Sequence, residues 1–132
     1  MIKKEITKTY SEKEEIDKII ERLKDIDFKV IKKSRYFEWS LMHKRTEENK
    51  IEETYPKFEK IGLINKRKLK YGDMGYDLYY ELDDGTFIVI AICIDKRLLI
   101  NAFHSKKNFQ NFKRNLLKKI NKVDTDLNQG RL

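Results

Sequence analysis

Tyr76-Asp77-Leu78-Tyr79-Tyr80-Glu81-Leu82-Asp83-Asp84-Gly85-Thr86-Phe87-Ile88-Val89-Ile90-Ala91-Ile92-Cys93-Ile94 is the stretch that decides the fold. Two β-rich runs meet at Asp84-Gly85, a pair that favours the positive-φ turn of a tight hairpin. Leu78, Tyr80 and Leu82 line one face of the run from Tyr76 to Leu82, whereas Phe87 to Ile94 is apolar throughout, the pattern of a central strand covered on both faces. Downstream, Asp95-Lys96-Arg97 turns the chain into Leu98 to His104. Upstream, Gly72-Asp73-Met74-Gly75 separates it from a basic strand, Lys66 to Tyr71. These connections are too short for crossovers, so the four strands are expected to form an antiparallel meander.

Helices are expected on either side of the meander in sequence. Ser11-Glu12-Lys13-Glu14 has the spacing of a capping box, and Ile16, Ile19, Ile20, Leu23 and Ile26 recur at helical spacing, which predicts an amphipathic helix over 12–26. A last helix over 106–121 would be capped by Ser105, with Phe109, Phe112, Leu116, Leu117 and Ile120 as its apolar stripe. Between them, the alternation of Phe37, Trp39 and Leu41 against Glu38, Ser40 and Met42 predicts a strand over 35–42. Residues 44–61 read as two short helical pieces, Pro56 opening the second and Gly62 capping it. The expected class is α+β: N-terminal helices packed on a curved antiparallel meander of about four strands, with a basic C-terminal helix. One domain spans 1–122, and 123–132 reads as a frayed polar tail.

The chain has 132 residues, the length of one domain, and a formal net charge of +8. That charge is discounted, because 23 Lys against 7 Arg, with 16 Ile and two Ala, is a usage that AT-rich coding produces by itself. No apolar run approaches the roughly 18 residues of a membrane span and no signal-peptide pattern opens the chain, so an intracellular, cytoplasmic protein is expected. The single cysteine, Cys93, and the two histidines supply neither a disulfide framework nor a zinc ligand set, so no metal or cofactor is expected.

Chemistry is expected where strands end. His43 precedes Lys44-Arg45, and His104 precedes Ser105-Lys106-Lys107. A histidine titrating near neutrality beside fixed cations can move protons next to a bound phosphate, which suits metal-free RNA cleavage. One imidazole would take the ribose 2'-hydroxyl proton, the other would protonate the leaving 5'-oxygen, and Arg45 or lysines would stabilise the phosphorane, leaving a 2',3'-cyclic phosphate. The bland alternative is two core histidines continuing the alternation of their strands. A second signal interleaves aromatic and basic residues: Tyr71 and Tyr76 flank a turn after Lys66-Arg67-Lys68-Leu69-Lys70, and Lys44, Lys106, Lys107, Lys113 and Arg114 extend the set. A solvated edge strand, guarded by its lysines, explains the same pattern. Gly72 and Gly75 make no phosphate cradle, because a strand and not a helix follows them.

Over residues 35–121, the layout of His43 to Ile51, a helix, Gly62, a basic strand and the Tyr76 to Phe103 meander resembles the barnase, EndoU, colicin and RelE-like group of small nucleases. The resemblance implies helices before a curved antiparallel sheet. It also implies site roles for His43 and Arg45 and, at the last strand's end, for His104 or Ser105. The partners it implies are RNA, whether mRNA, tRNA or ribosome-bound, and an antitoxin or immunity protein. Two other classes stay open: a non-catalytic basic nucleic-acid-binding module, and a protein-interaction accessory factor of phage or mobile-element type.

Overall fold

The computed structural model describes residues 6–43, 47–70 and 72–128, with 121–128 described through their backbone alone. Its elements run β1 (Ile6–Tyr10), α1 (Lys13–Leu23), β2 (Lys32–Lys33), α2 (Arg35–Met42), α3 (Glu48–Thr54), a 3-10 turn (Phe58–Lys60), β3 (Ile61–Lys68), β4 (Met74–Glu81), β5 (Phe87–Cys93), β6 (Leu98–Ser105) and α4 (Phe109–Asn128). The strands form one sheet in the order β1-β3-β4-β5-β6-β2. Every pairing is antiparallel except that of β2, which lies parallel to β6. The α+β class and the β3 to β6 meander are therefore as the sequence implies, within a six-stranded mixed sheet.

The meander forms for the reasons its sequence offers. All seven residues of β5 are buried, as a strand between two covered faces must be. The β4–β5 hairpin closes with Gly85 at φ 88° and Leu82 N–H donating to the Thr86 carbonyl at 2.9 Å. The side chains of each strand alternate between two apolar layers. One layer joins Ile64, Leu78, Tyr80, Ile88, Ile90 and Ile92 to Ile16, Ile20 and Leu23 of α1, Phe37 of α2 and Ile51 of α3. The other joins Leu63, Tyr79, Phe87 and Val89 to Phe109, Phe112 and Leu116 of α4. Helices thus cover both faces of the sheet.

Several expectations are corrected. Residues 35–42 are helix α2, not a strand. Ser34 caps it, its hydroxyl accepting from Phe37 N–H at 3.1 Å, and no residue from 35 to 42 is β-branched. Phe37 and Ser40 turn inward at helical spacing, which the apparent alternation concealed. Residues 6–10 form the edge strand β1 against β3. The Ser11 capping box does not form: α1 starts at Lys13 behind Glu12, without a side-chain cap, and ends at Leu23. Gly62 is no helix cap, because β3 begins at Ile61 and the strand runs to Lys68 instead of starting at Lys66. A Cβ at Gly62 would lie 2.9 Å from the Phe109 ring, so glycine here permits a close approach. Ser105 does not cap the last helix. It ends β6, and Asn108 accepts from Asn111 N–H at 3.0 Å in its place. α4 runs from Phe109 to Asn128, where 106–121 was expected for the helix.

Candidate active site

His104 lies in β6 opposite Ile88 of β5, on the same side of the pleat as Ala102, and so faces the layer that holds α3. Ile51 is buried in that layer and fixes α3, which brings the neighbouring Lys50 over the strand end. Lys50 Nζ lies 3.2 Å from His104 Nδ1, and Thr86 Oγ1 lies 2.8 Å from His104 Nε2. Thr86 is presented by the β4–β5 hairpin, where both its hydroxyl and its amide donate to Asp84 Oδ1, at 2.6 and 2.9 Å.

These partners assign the tautomer. The Thr86 hydroxyl hydrogen goes to Asp84, so Oγ1 accepts from His104 Nε2–H. The bare Nδ1 lone pair then accepts from the Lys50 ammonium. The result is a directed chain from Lys50 through His104 and Thr86 to Asp84. Partial burial, then the Lys50 and Lys106 cations, hold the His104 pKa below its ordinary 6.5, so the ring is neutral at pH 7. The hydrogen bonds from Thr86, aided by His104 and Lys50, lower the Asp84 pKa as well. Chemically, the cluster is an oriented neutral imidazole whose lone pair is shared with a cation, an arrangement suited to taking a proton beside a bound anion.

The other sequence-nominated residues do not converge on it. His43 ends α2, where its Nδ1–H donates to the Trp39 carbonyl at 2.9 Å and its ring stacks on Trp39 at 4.1 Å. Among the described residues no hydrogen bond or ring contact joins His43 to His104. Ser105 follows His104 in the strand and so points to the opposite face, its hydroxyl accepting from Lys107 N–H at 3.3 Å. Lys44, Arg45 and Tyr71 lie outside the described residues.

Two of the proposed phosphate and base contacts are engaged within the fold. Tyr76 is buried, with Arg22 donating to its hydroxyl at 3.3 Å, and presents no stacking face. Arg67 is paired with Asp77 at 2.7 Å on the α4 side of the sheet, which occupies its charge within the fold. Lys68, Lys70, Lys106, Lys107 and Arg114 are exposed, and Lys113 is half-buried in the cleft between α4, α1 and Gly62.

Sequence reasoning missed Lys50, Thr86 and Asp84. Asp84-Gly85 was legible as a hairpin, and the register that sets Thr86 beside the end of β6 was the signal within reach. It also missed the rings on α2: Tyr36, Trp39 and His43 stack in file on its outer side, Tyr36 to Trp39 at 6.1 Å and 13° between planes. No protein-family model, curated protein or solved structure matches this chain.

Proposed function

We propose that the protein is a metal-independent endoribonuclease in which His104 is the general base. The observation that carries this reading is the chain from Lys50 through His104 and Thr86 to Asp84, which fixes a neutral imidazole next to a lysine ammonium. An RNA phosphate entering beside Lys50 draws the ammonium from Nδ1 onto a non-bridging oxygen. The freed Nδ1 takes the proton of the ribose 2'-hydroxyl, the 2'-oxygen bonds to phosphorus, and the bond to the 5'-oxygen breaks. Lys50 and Lys106 stabilise the charge that builds on the phosphorane. Thr86 keeps accepting from Nε2–H throughout, so Asp84 and Thr86 hold the ring as an orienting acid does in a catalytic triad. A water molecule delivers the proton to the leaving 5'-oxygen, since His43, held on the Trp39 ring at the end of α2, stands apart from the His104 cluster. The products are a 2',3'-cyclic phosphate and a free 5'-hydroxyl. This chemistry extends the resemblance of residues 35–121 to the barnase, EndoU, colicin and RelE-like nucleases.

Incubation of the protein with labelled single-stranded RNA in EDTA tests the reading. Cleavage to cyclic phosphate ends should fall by roughly 10²–10⁴-fold in His104→Ala, while the melting temperature stays within a few degrees. Undiminished cleavage by that variant would sink the assignment, and dependence of wild-type cleavage on added divalent cation would sink the metal-free mechanism.

A second reading, a nucleic-acid-binding module without chemistry, is favoured by one observation. Both ring nitrogens of His104 already have partners, as those of a structural histidine do. Its signature is RNA that is retained and left intact, with His104→Ala costing stability and not activity.

A further inference from the structure

Folding residues 35–42 as a helix places Tyr36, Trp39 and His43 on one outer side, at spacings of three and four residues. Their rings form a file along the helix: Tyr36 to Trp39 at 6.1 Å and 13° between planes, Trp39 to His43 at 4.1 Å and 28°. Tyr36 is 56% exposed, Trp39 41% and Met42 80%, a concentration of large apolar surface unusual for a strongly charged chain. The support beneath is rigid. Phe37 is fully buried, Ser34 N–H donates to the Leu99 carbonyl at 2.8 Å, and the Ser34 hydroxyl donates to the Ile100 carbonyl. α2 is thereby fastened to β6, the strand that carries His104 at its other end.

We propose that this face of α2 is a stacking site for the unpaired bases of a single nucleic-acid strand. The proposal deepens the RNA-directed reading above by naming its substrate as single-stranded, yet needs no cleavage to be true. Tyr36 touches Trp39 with one ring face, and no described ring or cation lies against the other, so a base seated there extends a file already built. Arg35 opens the same helix and Lys32 lies just before it, both exposed, where the phosphates of a strand laid along the rings would find them. Rings with polar edges, with Arg35 and Lys32 exposed at the start of the same helix, complement a polyanion with flat apolar faces. A purely apolar partner would leave Arg35 and Lys32 without a counterpart.

Trp39 is the sole tryptophan of the chain, so its emission reports on this face alone. The probe is a short 2'-O-methyl oligouridylate, which cannot be cleaved through its 2'-oxygen. Saturable quenching of Trp39 is expected with this strand, and much weaker quenching with a duplex of the same length, whose bases are already stacked. By anisotropy of the labelled strand, Tyr36→Ala and Trp39→Ala should each weaken binding roughly tenfold, and Trp39→Phe should largely retain it. Binding that leaves Trp39 emission unchanged, or a duplex that quenches equally well, would overturn the proposal. So would a Trp39 emission that tracks protein concentration and self-association instead of added strand, since the face would then dock a second copy. Quenching without any cleavage of ordinary RNA would instead overturn the catalytic reading and leave the stacking site standing.

Discussion

A neutral His104 has a pH signature whose sign follows from its surroundings. Burial and the Lys50 and Lys106 cations depress its pKa below 6.5, so the base form is already populated in mildly acidic solution. On the proposed mechanism, the rate of RNA cleavage should therefore rise with pH through a midpoint below 6.5 and be flat across neutrality on that limb. Replacing Lys50 by Met removes the cation at 3.2 Å. The midpoint should then move up toward 6.5, which the imidazole proton resonances would follow directly, while turnover falls because the phosphorane loses its nearest positive charge. Stability obeys the same linkage. A histidine with a folded pKa below its unfolded value contributes fully above about pH 6.5, and that contribution is lost as pH falls through the folded value. Urea melts at pH 7 and pH 5 should show the loss, and the His104→Ala variant should show less of it.

At the scale of the element, Ser34 and Phe109 each hold a helix in place by a separable contact. Ser34→Ala removes the hydroxyl that caps α2 and that binds the Ile100 carbonyl, and should cost about 1–2 kcal/mol in a denaturant melt. Phe109 is buried against Gly62 and Phe87, so Phe109→Ala should cost roughly 3–5 kcal/mol and loosen α4 from the sheet. These two helices also mark how far the sequence could be read. The stripe of α4 was legible, because Phe109, Phe112 and Leu116 have one period and one side to face. α2 was not, because a chain with aromatic residues on its outer as well as its inner side shows no clean 3.6-residue period. Phe37, Trp39 and Leu41 then mimic a strand. The site divides similarly: His104 was legible as an imidazole at a strand end beside lysines. Its partners were not, since Lys50 and Thr86 reach it across 54 and 18 residues of chain, through packing that no local pattern encodes. Tyr76 failed for the opposite reason, as a strand residue beside a turn can face inward.

Across the whole molecule, charge and burial are arranged on different surfaces. The acidic partners Asp77, Asp83 and Asp95 answer Arg67, Lys60 and Arg22, whereas no residue from 109 to 120 is acidic and Arg114, Lys118 and Lys119 are exposed along α4. If a nucleic acid follows that helix, exchanging Lys113, Arg114 and Lys118 for Gln should weaken binding to all sequences alike. It should also flatten the dependence of affinity on salt, roughly by one counterion for each phosphate that a side chain no longer neutralises. The strand order has a different reach. β1 and β2 are consecutive strands yet lie at opposite margins of the sheet, where they pair with β3 and β6 across up to half of the chain. The β3 to β6 ladder needs only short turns and can assemble first, while the two margins wait for loops of about 60 residues to close. Amide exchange should therefore find β4 and β5 the most protected strands and the N-terminal margin the first to open. A protein that opened in that order would release β1 from the sheet while the strand bearing His104 stayed paired to β5.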